Sequence, residues 1–320
     1  MNRLQNDLPR RYDCKDASIL MTKFVVREAK EADKDAVLRF SQSTSDHRDY
    51  IANVWDSWLA DHCGKIFVAT FEGTPIGMLH VEIIKNGEAW LEGARVAAEF
   101  RRRGVASSLN STCFEWASKR GAKVARLVTD STNLTAQKAL AKMEFLRVSD
   151  WIRMRFDGCQ LDISKDVRFA KEADIEMIWK FLKGSKDFVA SAGLFAIMFR
   201  WMSLDRSELA RFVGRRMAII HESGKAVDGL TLFDDTIRQA WQRNSIQTCY
   251  VDGTTEAVLS MARFLKGHLY DENVASIFVA MCNRRHLISA FVKVGFRANP
   301  WSHLVYEKKL TTSACRVEND

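Results

Sequence analysis

At 320 residues and 47% apolar content, the chain is long enough for two globular domains of about 150 residues each. It contains no apolar run near the roughly 20 residues of a membrane span, no signal-type apolar core among its first residues, and an odd number of cysteines, 7, without a C-x-x-C pair. Membrane insertion, secretion and a disulfide framework are therefore not expected, and a cytoplasmic protein with free thiols is. A net charge of +8 fits a small anionic ligand better than nucleic acid, because Lys and Arg are scattered, Arg101-Arg102-Arg103 is the one triplet, and no aromatic side chains interleave with it. The sequence shows no His/Cys/carboxylate spacing of a zinc site, so no metal is expected.

In chain order, residues 1–22 read as an N-terminal extension. Val26-Arg27-Glu28-Ala29-Lys30-Glu31-Ala32-Asp33 then reads as a short strand, a turn and a helix start. The same octet returns with one change as Val167-Arg168-Phe169-Ala170-Lys171-Glu172-Ala173-Asp174, and Lys142-Met143-Glu144-Phe145 returns as Lys293-Val294-Gly295-Phe296. Matches at both ends, in order, point to a tandem duplication. The units expected are 23–157 and 158–310, with a seam near Asp157-Gly158-Cys159-Gln160 and a tail over 311–320.

Within the first unit, Phe67 to Phe71 and Ile76 to Ile84 flank the turn Glu72-Gly73-Thr74-Pro75, and Trp90 to Val96 follows as a third antiparallel strand. Gly104 to Lys119 is an amphipathic helix closed by Gly121. Val124 to Val128, Asn133 to Lys142 and Trp151 to Phe156 add a strand, a helix and a strand. The order predicts an α/β unit with a mixed sheet. Met217 to His221, Gly229 to Phe233 and Ser245 to Val251 repeat the sheet in the second unit, whereas the apolar stretch from Phe188 reads as a buried helix that either closes the first unit's pocket or serves its own core.

The junction from Val96 to Ser107 joins a strand to a helix start. The first helical turn offers backbone N–H groups and partial positive charge, Gly104 permits close approach, and Arg101, Arg102 and Arg103 add charge independent of pH. This reads as a phosphate loop.

The Arg101-x-x-Gly104-x-Ala106 loop, with Asn133, Ala136 and Phe145 downstream, resembles the acetyl-CoA motif of the GNAT N-acetyltransferase superfamily, over roughly residues 24 to 157. Asp49-Tyr50, Trp58-Leu59, Trp90-Leu91-Glu92-Gly93 and Lys123-Val124-Ala125-Arg126-Leu127 are similar to histidine N-acetyltransferase-like proteins. The resemblance implies a tandem GNAT fold with acetyl-CoA as cosubstrate. Its pantetheine arm would pair with backbone at Ala94, Arg95 and Val96, and its pyrophosphate would rest on amides of Arg102, Arg103, Gly104, Val105, Ala106 and Ser107. The N–H near Val96 would polarise the thioester carbonyl.

An aliphatic amine is mostly protonated at neutral pH and needs a base before it can attack. Strand alternation places Trp90, Glu92 and Ala94 on one face, and Glu92 is the one carboxylate among them. The resemblance also puts a base on this strand. Tyr50 and Trp90 are the candidate acceptor contacts, while His47 and His62 flank the same segment. Two departures stand out: Leu140 occupies the position where the family often has a Tyr acid, and Glu144 replaces a usual Gly. In the second unit the loop reads Tyr250-Val251-Asp252-Gly253-Thr254-Thr255-Glu256, without the arginines and with acids that repel pyrophosphate, so that copy is read as degenerate. The function expected is acetyl transfer to a small-molecule primary amine such as a free amino acid, histidine included. A protein or peptide acceptor, a non-catalytic acyl-CoA sensor and an RNA-binding protein stay open as alternatives, as does the oligomeric state.

Overall fold

The structure, a computed structural model, describes residues 24–42, 49–85, 87–157, 164, 166–224, 226–234, 245–271 and 276–310. The expected extension 1–22, the seam beyond Asp157, the tail 311–320 and His47 lie outside the described residues.

The first half runs β1 (Val25–Glu28), α1 (Lys34–Gln42), α2 (Ile51–Ala60), β2 (Gly64–Phe71), β3 (Thr74–Lys85), β4 (Glu88–Val96), α3 (Val105–Lys119), β5 (Val124–Asp130), α4 (Leu134–Lys142) and β6 (Leu146–Asp157). The second runs β7 (Val167–Phe169), α5 (Ile175–Gly184), α6 (Lys186–Ala190), β8 (Leu194–Ile197), β9 (Arg200–Ser203), α7 (Arg206–Gly214), β10 (Ala218–Ser223), β11 (Ala226–Asp234), β12 (Ser245–Gly253), α8 (Thr255–Asp271), β13 (Ser276–Cys282), α9 (Arg285–Lys293), β14 (Arg297–Ala298) and β15 (His303–Lys309).

The repeated octets fold alike, for a visible reason. Arg27 Nη1 donates to Asp33 at 2.7 Å and Arg168 Nη1 to Asp174 at 2.6 Å, while each Asp also accepts the backbone N–H of Lys30 or Lys171 at 2.7 Å. Each aspartate thus ties its first strand to the turn that opens the next helix. Burial separates the two faces of the first-half sheet by alternation. Phe67, Leu79, Val81 and Leu91 pack with Leu109, Cys113 and Trp116 of α3, whereas Ile66, Val68 and Met78 pack with Val37, Trp55 and Trp58 of α1 and α2.

One sheet crosses both halves in the order β1-β2-β3-β4-β5-β15-β6-β13-β12-β11-β10-β7, with β14 branching from β6. The expected units of 23–157 and 158–310 meet in this sheet through their last strands. β15, from the end of the second repeat, lies between β5 and β6, and β6, from the end of the first, pairs with β13 of the second. Each repeat therefore completes its partner's sheet. Arg126 fastens the exchange: its guanidinium, nearly buried, binds Glu88 on β4 at 2.6 Å, Glu307 on β15 at 2.7 Å and Ser203 Oγ on β9 at 3.3 Å.

The apolar stretch from Phe188 is corrected. It is not one helix: Ala192 and Gly193 have positive φ of 58° and 64° and end α6, and Met198, at 57°, turns β8 back into β9. Leu194, Phe195, Ala196 and Trp201 of this hairpin are buried in the main core with Trp90 and Trp151.

Candidate active site

The loop after β4 and the parting of β4 from β5 shape the first half of the site. β4 pairs in parallel with β5 at Glu88, Ala89 and Trp90, and beyond Trp90 it pairs with β3 alone. The backbone of Leu91 to Val96 thus presents an edge to a gap between diverging strands. At the far end of that edge, Arg101 to Gly104 form an exposed turn, and Gly104, at φ +83° with nothing within 4 Å of where a side chain would begin, caps α3 without a side-chain bond. The N–H groups of Val105, Ala106 and Ser107 precede the helix's own hydrogen-bond ladder and carry its positive end. The geometry accommodates a phosphate there. Asn133 sits across the gap, where its Oδ1 accepts the Ala136 N–H at 3.0 Å and caps α4.

A bulge sets which β4 side chains face the acceptor side. Arg95 stands opposite Met78 and Glu92 opposite His80, so β4 carries one extra residue in this interval. Gly93 takes it up at φ +75°, with Trp58 so close that an added side chain would meet its ring at 2.9 Å. The bulge breaks the expected alternation and corrects the placing of Ala94. Trp90, Glu92, Gly93 and Arg95 look toward α2 and β9; Ala94 does not share their face.

Alternate residues of β4 meet the second half directly. Glu88 accepts the Ser203 N–H at 3.1 Å, the Trp90 ring lies 6.0 Å from that of Trp201, and Glu92 Oε1 accepts from Arg200 Nη2 at 2.7 Å. Trp90, expected as an acceptor contact, is 1% exposed and packs on Trp201. Tyr50, the other expected acceptor contact, lies near Glu92 and Gly93. It packs edge-on against Trp58 and lies under Arg95, which is held by Asp49 at 2.7 Å. Although Tyr50 as a whole is 38% exposed, desolvation of its phenol, with the Glu92 charge nearby, pushes its pKa up to about 12.

Four groups at this site escaped the sequence reading. His80 is wholly buried, stacks on Trp58 at 4.1 Å, and places Nδ1 3.6 Å from Glu92; neither ring nitrogen has a hydrogen-bond partner. Glu82 binds Arg200 at 2.9 Å. Asp61, His80 and Glu82 offer donor atoms within 4.8 Å of one another, a set able to hold a cation, although Arg200 already brings one positive charge to it. Burial lowers the pKa of His80 against the pull of Glu92 and keeps the imidazole neutral, and burial raises that of Glu82. For Glu92, burial works to raise the pKa, but His80 and Arg200 outweigh it and hold the carboxylate below its usual range. His80 was legible in principle, since the β3–β4 hairpin puts it opposite Glu92. Arg200, 108 residues away in sequence, was not. His62 is exposed, and Leu140 is buried with Phe145, Leu304 and Tyr306, so it supplies no acid.

The second half repeats the bulge and the parting. Leu232 faces Tyr250 and Phe233 faces Thr248, leaving Cys249 extra, and β12 leaves β13 after Thr248. Here the gap is filled. Ser185 Oγ donates to Asp252 at 2.8 Å, and Asp187 accepts from Arg284 at 3.0 Å and pairs with His286 at 2.8 Å, bridging the diverging strand ends. A depression of about 500 Å³ remains outside this bridge, lined by Thr255, Asn283, Arg284, Arg285, His286 and Ser289. No helix among the described residues is long and apolar enough to cross a membrane.

Residues 30–145 match the sequence model of the Acetyltransferase (GNAT) family. Over 128 residues the chain is 33% identical to a histidine N-acetyltransferase of Xenopus tropicalis, covering 38% of this chain and 40% of that protein. Over 153 residues it is 32% identical to a histidine N-acetyltransferase of Oreochromis niloticus, covering 46% of this chain and 44% of that one. The matched stretch is thus less than half the length of these curated relatives. In fold, the chain is similar to a GCN5-related N-acetyltransferase of Sphaerobacter thermophilus, with a TM-score of 0.58 at 14% identity over 90% of this chain and 96% of that one.

Proposed function

We propose that this chain, which carries an acetyltransferase domain of the GNAT family over residues 30–145, transfers an acetyl group from acetyl-CoA to the primary amine of a small molecule, with a free amino acid such as histidine as the leading acceptor. The observation that carries this reading is the open β4 edge beyond Trp90, flanked at one end by the exposed Arg101–Gly104 turn and along its face by the half-buried Glu92. Arg101 to Ser107 would hold the pyrophosphate, and the edge from Ala94 to Val96 would align the pantetheine arm. Catalysis is assigned to the first repeat and its exchanged strand. The filled gap and the acidic loop of the second repeat support a single acyl-CoA site.

In the reaction proposed, Glu92, ionised at neutral pH, takes a proton from the acceptor's ammonium group. The freed amine attacks the thioester carbonyl, the C–N bond forms and the C–S bond breaks; the nitrogen gives its second proton to solvent, the thiolate takes one up from solvent, and the proton on Glu92 leaves as the net proton of the turnover. A thiol of pKa about 8.5 leaves with little assistance, which accommodates a leucine at position 140. That leucine also favours a second reading, an acyl-CoA-binding protein without turnover. Following free thiol release from acetyl-CoA against amino acids, polyamines and peptides separates the two. Steady release with an amino acid or small amine supports the proposal; release with peptides alone, or none at all, overturns it.

A further inference from the structure

We infer that Arg200 of the second half is a carboxylate-binding residue of the acceptor site, so that the chain selects amines carrying a neighbouring carboxylate. The inference rests on the acetyl-transfer reading above and adds what that reading leaves open: why a second repeat is retained beside the first.

Arg200 bridges β9 to Glu82 and Glu92, but the hairpin that carries it does not depend on those pairs. The β8–β9 hairpin is anchored without it, because the Ser203 carbonyl accepts from Lys85 at 2.8 Å, its N–H donates to Glu88 and its hydroxyl accepts from Arg126, while Trp201 is wholly buried. The bonds of Arg200 to Glu82 and Glu92 both leave from Nη2, which leaves Nη1 and Nε, three of the five N–H donors, without a bond to a described residue. A third of the side chain, 33%, is exposed. A guanidinium keeps its charge at any working pH and matches carboxylates in shape.

Charge balance gives the complementary half. Asp61, Glu82 and Glu92 bring three carboxylates around the neutral His80 against one guanidinium, so the cluster has room for a further cation. An α-amino acid presents ammonium and carboxylate on adjacent carbons. Its ammonium would take the side of Glu92, where the base acts, while its carboxylate would take the unused donors of Arg200, set directly beside Glu92 at 2.7 Å. A simple amine would gain the first contact and forgo the second.

The test compares the best amino-acid acceptor with its methyl ester and its decarboxylated amine, by thiol release, in the wild type, R200K and R200M. In the wild type, kcat/KM for the amino acid should exceed that for the ester and the amine by about 10- to 100-fold, the range of a charge-assisted hydrogen bond. In R200M that preference should fall to within about threefold, chiefly through KM for the amino acid. R200K, which keeps the charge and loses the fork, should fall between them, and it carries the test if R200M fails to fold. No preference in the wild type, or equal losses for all three acceptors in the variants, would overturn the inference and leave acetyl transfer standing. No thiol release with any acceptor would overturn both.

Discussion

Arg200 of one repeat donates to Glu92 of the other at 2.7 Å, so the candidate base of the first half is held by a side chain 108 positions away. The charge beside it decides how Glu92 should behave. Its pKa is held low, which keeps it ionised through the neutral range at some cost in basicity.

Glu92→Gln should therefore lower kcat by about 10²- to 10⁴-fold, the usual worth of a general base, with coenzyme A affinity unchanged by calorimetry. Because the reactive pair is ionised Glu92 with the acceptor's ammonium, kcat/KM of the wild type should stay level from pH 6 to near the acceptor's own amine pKa, about 10 for an aliphatic amine, whereas in Glu92→Gln it should climb over that range. A wild-type climb across the whole range would remove Glu92 from this role.

His80 predicts a pH dependence of stability. Its folded pKa is lowered by burial, against about 6.5 in the unfolded chain, so between the two values the unfolded state binds more protons. Stability from this group is complete above about pH 6.5 and is lost as pH falls toward the folded value. Glu92 and Asp61 oppose the shift and Arg200 adds to it. Urea unfolding at pH 5 and pH 8 should show the loss in the wild type and a smaller one in His80→Asn.

Glu144 sits at φ +60°, where the second repeat has Gly295 at φ +93°. A side chain in the left-handed region costs about 1 kcal/mol, and the exposed pair of Glu144 with Lys308 returns little of it. Glu144→Gly should raise stability by up to about 1 kcal/mol in denaturant titration.

Arg126→Met should destabilise by about 3–5 kcal/mol, because it leaves Glu88 with its charge in a buried position and releases Glu307 on the exchanged strand. Equilibrium unfolding of the full chain measures this directly.

Much of the fold was legible because its signals are local. Glu72-Gly73 marks a hairpin turn, Gly104 and Lys119 bracket α3, and the repeated octets carry their own Arg–Asp pair. The exchange of β6 and β15 was not legible, since either strand satisfies the same sheet position and its apolar pattern does not say which neighbour it will meet. The bulge at Gly93 was missed for a related reason: alternation counts residues and cannot see an extra one. The helix expected after Phe188 failed at Ala192 and Gly193, where φ turns positive. Of the site, Glu92 and the Arg101–Ser107 turn could be chosen by chemistry along the chain, whereas Arg200 and Asp61 reach it only through tertiary packing.

Titrating the purified full chain with coenzyme A by calorimetry tests the central claim most directly. One molecule should bind per chain, with affinity about 10- to 100-fold weaker when Arg102 and Arg103 are both replaced by Ala and unchanged when Arg284 and Arg285 are. Two molecules per chain, no binding, or binding indifferent to Arg102 and Arg103 would contradict the account.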